Sequence, residues 1–404
     1  MSMLDEKFAK LGVDSAPGQE SRQQDSIVAM KGERLEGTPV DFSHGDVDAF
    51  PPLPGALETF IDGYREGADQ AYTEYRGRQA IRESLSEKLA LFTGSPIDAE
   101  RELILTPGTQ GALFLAMGAS IGRGDKVAIV EPDYFANRKL VEFFDGEIVP
   151  VQMHYLSVGS GSGLDLSELE EAFKSGVKLF IFSNPNNPTG VVYSRDEVSS
   201  IGQLAQAYGA VVIADELYSR QIFDHADYTH LRALNLVNPD NMLTIIGPSK
   251  TESLSGFRLG AAFGSAAIID RMEKLQAIVS LRAAGYCQAN FRNWFSEPDG
   301  WLSERVQQHQ AIRDDLYALF AAADGFTLRI PEGGSYLFPT MPDVSLDIVS
   351  FTKALRHQAA VSVTPGIEFG PQFTHSFRLN FSQDHEAAVS AIERVIKIVE
   401  RYRL

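Results

Sequence analysis

Between residues 103 and 264, short apolar runs rich in β-branched residues alternate with segments of helical periodicity. The clearest runs are KVAIVEP at 126–132, KLFIFSN at 178–184, AVVIADE at 210–216 and MLTIIG at 242–247. Continuous apolar runs of this kind are typical of strands buried on both faces, as in a parallel sheet covered by helices. The alternation therefore predicts an α/β fold with a mostly parallel sheet flanked by helices.

The pattern changes after Pro298. Five regular segments follow it: a helical stretch that includes 307–319, the strand-like run GSYLF at 334–338, a helix near 348–358, the strand-like run SFRLNFS at 376–382, and a closing helix that includes 389–399. The last helix carries one apolar stripe, formed by Val389, Ile392, Val395, Ile396 and Val399. We therefore expect a smaller α/β domain beside the large sheet.

A chain of 404 residues is too long for one ordinary core, so we expect more than one domain. Residues 51–298 are predicted to form the large domain, and residues 39–50 together with 299–404 the small domain. Residues 1–38 are polar and show little periodicity. We expect them to form an arm, either mobile or ordered against a partner subunit.

The composition excludes several classes of protein. A net charge of -18 disfavours binding to the phosphate backbone of nucleic acids. The single cysteine, Cys287, cannot form an internal disulfide. Neither a bilayer-spanning apolar run nor the apolar segment of a secretory signal is present. We therefore expect a cytoplasmic protein without nucleic-acid or membrane partners.

Four groups of motifs follow one another along the chain. They are GDVDAFPP with Gly45, followed by YTEYRG with Tyr72; TPGTQGAL with Gly108, Thr109 and Gln110, followed by EPDY with Tyr134; SNPNNPTG with Asn187, followed by ADELY with Asp215 and Tyr218; and PSKTESLSGFRLG with Ser249, Lys250 and Arg258, followed by Arg378 in SFRLNFS. In this order and spacing they resemble the fold-type I enzymes that use pyridoxal 5'-phosphate (PLP). The resemblance is to the class I/II, aspartate-aminotransferase-like family and covers about residues 38–404.

The resemblance implies how the chain would hold the PLP ring. PLP chemistry needs an amine that forms an imine, and the resemblance assigns this Schiff base to Lys250. Asp215 would keep the pyridine nitrogen protonated, so that the ring withdraws electrons. Asn187 and Tyr218 would donate to the 3-oxygen of the ring, and Tyr134 would stack on its face. Lys250 would also be the base that moves the α-proton.

The phosphate of PLP would lie at the start of a helix. Gly108, Thr109 and Gln110 open a helix after the strand-like run ELILT, and backbone amides at a helix start suit an anion. The resemblance adds Ser249 and Arg258 from the same chain, and Tyr72 from a neighbouring subunit. It therefore implies a homodimer with shared active sites. Gly247 stands where many relatives have a serine that contacts the phosphate.

The residues that would bind the substrate are also assigned by the resemblance. Arg378 would bind the α-carboxylate of the substrate as a bidentate fork, while Gly45 closes over the same group and Asn187 contributes. His44 is either a residue that faces substrate or a packed histidine. Arg282, in SLRAAGY, is either a contact for a second carboxylate or an exposed helix arginine.

The resulting expectation is a PLP-dependent aminotransferase, which moves an α-amino group from an amino acid to a 2-oxo acid by a ping-pong mechanism. A lyase, decarboxylase or cyclase on the same scaffold stays open, because PLP labilises every bond to the α-carbon. A PLP-sensing transcription regulator needs an amino-terminal DNA-binding domain of about 60 residues. The polar region 1–38 is too short for such a domain.

Overall fold

The computed structural model describes residues 2–12, 30–224 and 226–404. Its strands are β1 (Val40–Asp41), β2 (Leu103–Pro107), β3 (Lys126–Glu131), β4 (Glu147–Gln152), β5 (Leu179–Ser183), β6 (Val211–Asp215), β7 (Met242–Ile246), β8 (Leu259–Gly264), β9 (Tyr336–Leu337), β10 (Val361–Ser362), β11 (Thr364–Pro365) and β12 (Phe377–Asn380). Its helices are α1 (Met3–Leu11), α2 (Ala56–Arg65), α3 (Ala68–Ala71), α4 (Gln79–Thr93), α5 (Gly108–Ser120), α6 (Phe135–Phe143), α7 (Leu166–Lys174), α8 (Arg195–Tyr208), α9 (Ala266–Val279), α10 (Trp301–Ala322), α11 (Ile348–Ala359) and α12 (His385–Tyr402). Over the described residues, no helix combines the length and apolarity that crossing a bilayer requires.

A seven-stranded sheet forms the centre of the molecule, in the order β2-β8-β7-β6-β5-β3-β4. Strand β8 runs antiparallel to β2 and β7, and the pairs from β7 to β4 are parallel. The four apolar runs singled out in the sequence form β3, β5, β6 and β7. The prediction of a mostly parallel sheet flanked by helices is therefore confirmed.

Helices cover both faces of this sheet because its strands are apolar on both sides. In β6, Ile213 packs into the core shared with α5 and α9, whereas Val212 and Ala214 pack into the core shared with α7 and α8. Burial of each such large side chain contributes about 1.5–3 kcal/mol. Helix α8 begins at a capping box, in which Ser194 and Glu197 each bond the other's backbone amide, and this fixes where the chain leaves β5 for the face of the sheet.

A second, smaller core lies beside the sheet. Strands β11, β12 and β9 form an antiparallel three-stranded sheet, and β1 pairs with β10. Helices α10, α11 and α12 pack on these strands. Val40, Phe42 and Phe50 belong to the same apolar cluster as residues from 312 to 402. The domain boundaries drawn from the sequence stay a prediction, and this packing supports joining residues 39–50 to the carboxyl-terminal part.

The amino-terminal arm differs from its expectation where it is described. Residues Met3–Leu11 form α1, which begins at a capping box made by Ser2 and Asp5. The helix packs against α6 of its own chain: the ammonium of Lys7 lies 4.7 Å from the ring centre of Phe143, and Leu11 is buried. The short helix was missed because its few apolar positions gave little periodicity. Residues 13–29 of the arm lie outside the described residues.

Candidate active site

The carboxyl ends of β5 and β6, the loop after β7 and the first turn of α5 surround a cavity of about 230 Å³. Parallel α/β sheets bind ligands at this edge. The predicted site residues that line the cavity are His44, Thr109, Gln110, Tyr134, Asn187, Asp215, Tyr218, Ser249, Lys250, Arg258 and Arg378. Gly45, Gly108 and Tyr72 do not line it. The structure thus gathers most of the set, and their chemical roles stay predictions.

Lys250 reaches the cavity from the loop that joins β7 to β8. Its side chain is half-buried. The loop turns sharply here: the carbonyl of Lys250 accepts a hydrogen bond of 3.0 Å from the amide of Ser253, which has a φ of 55°. Within the described ranges, no carboxylate forms an ion pair with the Lys250 amino group. The amine is therefore available for covalent chemistry inside the cavity.

Asp215 ends β6 and is buried. Its Oδ1 accepts a hydrogen bond of 3.1 Å from the amide of Leu217. Burial raises the pKa of Asp215 to about 7, and the charge of Glu216 contributes to this rise. The hydrogen bond from the Leu217 amide acts in the opposite direction and lowers the pKa. The Glu216 carboxylate itself pairs with His230, 2.5 Å away. A cationic neighbour favours the charged form of such a buried carboxylate, and the predicted pairing of Asp215 with a protonated nitrogen stays a prediction.

Arg378 enters the cavity from β12 and is buried. Its Nη1 donates a hydrogen bond of 3.0 Å to Oδ1 of Asn187, and its Nη2 donates one of 3.0 Å to the carbonyl of Ser43. Its guanidinium lies over the rings of Tyr336 and Phe369. Among the described residues, its buried Nε has no partner. An unpaired buried donor costs about 1–3 kcal/mol, so Arg378 is prepared to bind an anion such as a carboxylate.

A buried carboxylate that the sequence did not single out fixes two of the site residues. Asp133 accepts hydrogen bonds from the Ser183 hydroxyl, from the Ser183 amide at 3.1 Å and from the Tyr134 amide at 2.6 Å. The Ser183 hydroxyl oxygen in turn accepts from the Asn187 amide at 3.1 Å. Burial raises the pKa of Asp133 to about 7, against these hydrogen bonds. The chain from Asp133 through Ser183 therefore sets the position of Asn187.

The first turn of α5 and Arg258 form one anion-binding corner. Gly108 opens α5 with a φ of 75°, and a Cβ there would lie 2.5 Å from Nη2 of Arg258. Arg258 has a φ of 56°, and its Nη1 donates a hydrogen bond of 2.8 Å to the carbonyl of Ser255. Helix-start amides beside a guanidinium suit a phosphate dianion. The fit depends on the glycine, which leaves room for the arginine.

The glycine at 247 also has a physical reason. A Cβ at Gly247 would lie 2.8 Å from the γ-methyl of Thr109, which therefore fills the space of a serine side chain there. A Cβ at Gly260 would collide with the backbone of Gly108 and Thr109. The two glycines let the start of α5 approach the edge of the sheet. The departure at 247 is thus matched by the threonine at 109.

Tyr134 and Ser249 have partners of their own. The Tyr134 hydroxyl donates a hydrogen bond of 3.0 Å to Oε1 of Gln110. Burial raises the pKa of Tyr134, so its hydroxyl stays protonated. The Ser249 hydroxyl donates to the carbonyl of Leu259 at 3.3 Å. Its second lone pair leaves it able to accept another bond, whereas its donated proton is already engaged.

His44 and Gly45 lie at the rim, where a neighbouring cavity of about 150 Å³ shares Lys250 with the main one. The side chain of His44 is 62% exposed, so it is not a packed histidine. Its Nδ1 donates to the carbonyl of Gly45 at 3.0 Å, and its Nε2 lies 3.6 Å from the Asp41 carboxylate. Of the two interpretations of His44, this position favours the residue that faces substrate.

Tyr72 lies on the surface, with 81% of its area exposed, away from the cavity of its own chain. The guanidinium of Arg282 lies 5.7 Å from the ring centre of Tyr72 and 5.6 Å from that of Tyr75. Arg282 follows the end of α9 and is half-buried, which contradicts the interpretation of an exposed helix arginine. Its Nε is buried and, in the part of the chain that is described, without a partner.

Sequence reasoning missed Tyr336. Its ring lines the cavity, and its hydroxyl accepts a hydrogen bond of 2.6 Å from the Tyr218 hydroxyl. The run GSYLF indicated a strand and no more. No sequence pattern marks Tyr336, because its partner Tyr218 is far away along the chain and only the fold brings the two together.

Comparisons with known proteins establish the family of the chain. The family model described as aminotransferase class I and II matches residues 38–395. A solved structure of an aspartate aminotransferase from Rhodobacter sphaeroides is 58% identical, with a TM-score of 0.94, and the match covers 99% of this chain and 100% of that one. A solved alanine aminotransferase from Pyrococcus furiosus shares the fold at 23% identity, with a TM-score of 0.81 over 90% of this chain and 92% of that one.

A further relative also matches this chain over most of the length of both proteins. The aspartate aminotransferase of Geobacillus stearothermophilus is 27% identical over 350 residues, which covers 85% of this chain and 87% of the relative. Class I and II aminotransferases generally depend on PLP, act on amino acids and oxo acids, and are usually dimeric. The chain belongs to the class I and II aminotransferase family, and it is a transaminase of fold type I.

Proposed function

We propose that this chain is a PLP-dependent transaminase in which Lys250 carries the cofactor and an acidic amino acid such as aspartate is the amino donor. The observation that carries the proposal is the cavity itself. It holds the amine of Lys250, the buried carboxylate of Asp215 and the buried guanidinium of Arg378, whose Nε has no partner among the described residues. These three groups differ in chemistry, and each suits a different part of the reaction.

The residues present fit the chemical groups of PLP. The corner between the start of α5 and Arg258 suits the phosphate, and Asp215 suits a protonated pyridine nitrogen. Tyr134 lines the cavity and brings an aromatic ring, which suits stacking on a planar ring. Tyr218 has a hydroxyl whose pKa is raised well above its usual range by burial, so it can donate to an oxygen anion.

When bound, PLP supplies an electron sink that weakens the bonds to the α-carbon of the amino acid. The residues of the chain would bind the substrate and move its proton. Arg378 would hold the substrate carboxylate and so orient the α-carbon. Lys250 would take the α-proton at Nζ and then donate it to the cofactor. Asp215 holds a proton on the pyridine nitrogen, and the buried position of Arg378 and Asp215 excludes water from their charges.

Two observations support aspartate as the donor. The structure 58% identical to this chain is that of an aspartate aminotransferase. Arg282 has a buried Nε without a partner in the described ranges and lies beside Tyr72. In the dimer that we propose, Tyr72 reaches the phosphate of the partner's cofactor, and Arg282 would enter the same site to bind the second carboxylate.

The surface around Tyr72 fits this dimer. Ile278, Val279 and Leu281 are exposed apolar residues at and after the end of α9, near the segment that bears Arg282. Exposed apolar groups that lie together on a folded chain mark interaction surfaces. A twofold axis through this surface would place each Tyr72 at the other chain's cavity and make both sites composite.

The test is a single-turnover reaction of PLP-loaded protein with L-aspartate, followed by absorbance and by product analysis. The proposal predicts one equivalent of oxaloacetate and of pyridoxamine phosphate per site before any oxo acid is added, as a ping-pong mechanism requires. L-alanine is the matched control without the second carboxylate, and we expect it to react more slowly. Release of ammonia or carbon dioxide without pyridoxamine phosphate would overturn the proposal in favour of a lyase or decarboxylase.

A further inference from the structure

Tyr336 contacts two different groups of the cavity with the two ends of its side chain. Its hydroxyl accepts a hydrogen bond of 2.6 Å from the Tyr218 hydroxyl. The Arg378 guanidinium lies 4.3 Å from the centre of its ring. Tyr336 in β9 pairs opposite Asn380 in β12, and Asn380 and Arg378 lie on one face of the sheet because they are two residues apart. The pairing of β9 with β12 therefore holds the tyrosine under the arginine.

The ring of Tyr336 and that of Phe369 cover the Arg378 guanidinium, with ring centres 4.3 and 4.9 Å away. Contacts of a desolvated guanidinium with aromatic faces are attractive. They also leave only the edges of the guanidinium for hydrogen bonds. Two of its nitrogens bond Asn187 and Ser43, and the remaining Nε is the edge without a partner among the described residues. The rings thus help to fix the position of the Arg378 guanidinium.

The Tyr336 hydroxyl has two polar neighbours, Tyr218 and Asn380. Burial raises the pKa of Tyr218 well above its usual range, so Tyr218 keeps its proton. Burial acts on Tyr336 too, but the charges of Arg378 and Lys250 and the bonds from Tyr218 and Asn380 outweigh it and lower its pKa. When Tyr218 donates its proton to an anion in the cavity, its oxygen can accept the proton of Tyr336. Hydrogen bonds linked in this way strengthen one another.

We propose that Tyr336 is a positioning residue with two separable roles: its ring presents Arg378 to a substrate carboxylate, and its hydroxyl strengthens proton donation by Tyr218. The inference rests on the proposed function, in which Tyr218 donates to the 3-oxygen of PLP. Tyr336 acts through these two residues and takes no part in the chemistry itself. The two roles predict different effects for loss of the hydroxyl and loss of the ring.

The experiment compares Tyr336→Phe, which removes the hydroxyl, with Tyr336→Leu, which removes the ring as well. Tyr218→Phe and the double variant Tyr218→Phe/Tyr336→Phe complete the set. Tyr402→Phe is the matched control, because it removes a buried hydroxyl that donates to Gln358 at 2.9 Å outside the cavity. For each PLP-loaded protein, two quantities are measured: the pH at which the absorbance of the lysine-linked cofactor changes, and the affinity for succinate.

Loss of a donor leaves more negative charge on the 3-oxygen, and this charge favours a proton on the neighbouring nitrogen. We therefore expect Tyr218→Phe to move the absorbance change to higher pH, and Tyr336→Phe to move it less, in the same direction. The double variant should match Tyr218→Phe, since Tyr336 acts through Tyr218. Succinate should bind about tenfold more weakly to Tyr336→Leu, whereas Tyr336→Phe and Tyr402→Phe should bind it as the wild-type chain does.

Three results would overturn this inference without touching the proposed function. The first is that Tyr218→Phe moves the pH of the absorbance change and Tyr336→Phe does not, and the second is that the two pH shifts add in the double variant. The third is a wild-type affinity for succinate in Tyr336→Leu. A wild-type chain without any lysine-linked absorbance would instead overturn the proposed function, and this inference with it. Failure of Tyr336→Leu to fold leaves the test standing, because the hydroxyl variants decide the first two results.

Discussion

Nη1 of Arg378 and Oδ1 of Asn187 lie 3.0 Å apart, and this hydrogen bond joins the smaller core to the central sheet across the cavity. Asn187 follows β5, whereas Arg378 belongs to β12. The contact therefore depends on how the two parts of the chain pack. It also holds the guanidinium with its Nε edge unpaired in the described part of the chain, ready for an anion.

The first prediction concerns this arginine. We expect Arg378→Ala to weaken binding of the amino acid by about 2–5 kcal/mol, because a substrate carboxylate would lose a buried charged partner. Arg378→Lys, which keeps the charge but not the planar fork, should recover only part of the affinity. The measurement is the half-reaction rate against L-aspartate concentration. An unchanged half-saturation concentration in Arg378→Ala would contradict the role of carboxylate binding.

The second prediction follows from the pKa of Asp215, which rises from its ordinary 3.8 to about 7. In protein without PLP, the folded chain holds a proton here that the unfolded chain releases near pH 4. Stability should therefore be fully present below about pH 4 and decrease as the pH rises to about 7. Asp215→Asn should remove this contribution and raise the free energy of unfolding at pH 8 by up to about 4 kcal/mol.

Denaturant unfolding of PLP-free protein at pH 5 and pH 8 measures this effect. The decrease should shrink in Asp215→Asn without vanishing, because Asp133 is buried as well and its pKa is also raised to about 7. Bound PLP, with a protonated nitrogen beside Asp215, should reduce the decrease in the wild-type chain. Equal pH dependence in the wild type and Asp215→Asn would show that burial does not perturb this carboxylate.

The third prediction tests the match between Gly247 and Thr109. Gly247→Ser should destabilise the chain by about 1–3 kcal/mol, because a Cβ there would lie 2.8 Å from the γ-methyl of Thr109. Thr109→Ser removes that methyl and keeps the hydroxyl, so the double variant should regain part of the stability. The contacts of 3.0 Å with the Leu259 carbonyl oxygen and 3.2 Å with the Gly260 Cα remain. Thermal unfolding of the four proteins gives the coupling. If the two changes simply add, the methyl is not what excludes serine at 247.

The fourth prediction concerns the dimer. Lys250→Ala and Tyr72→Ala would each be defective, but a mixed dimer would carry both lesions in one site and leave the other intact. With random assortment, co-refolding of the two variants should restore about a quarter of the wild-type activity. The control is each variant refolded alone. Activity that only equals the sum of the two, with mixed dimers shown to form, would place Tyr72 outside the partner's site.

Much of the fold was predictable because the central strands carry their own signal. The runs that became β5 and β7 are mostly apolar, and every position in both strands is buried. Strand β8, with the sequence LGAAFG, was not predicted, since glycine and alanine carry little strand preference. Gly260 is explained only by the approach of the start of α5, and Gly264 by the close backbone of Met242 and Leu243.

The residues of the candidate site also fall into two groups: those that the sequence predicted and those that it did not. Lys250, Asn187 and Arg258 lie in motifs whose spacing is visible along the chain, and the structure places all three around one cavity. Tyr336 and Asp133 could not be found so. Their importance comes from contacts with Tyr218 and Ser183, which only the packed structure brings near.

The most direct test of the account is the site of covalent attachment of PLP. Purified protein loaded with PLP is reduced with borohydride, digested, and analysed by mass spectrometry for the lysine that carries the pyridoxyl group. We expect the group on Lys250, one per chain, and its loss in Lys250→Ala. A pyridoxyl group on another lysine, with Lys250 unmodified, would contradict the assignment of Lys250 and of the cavity around it.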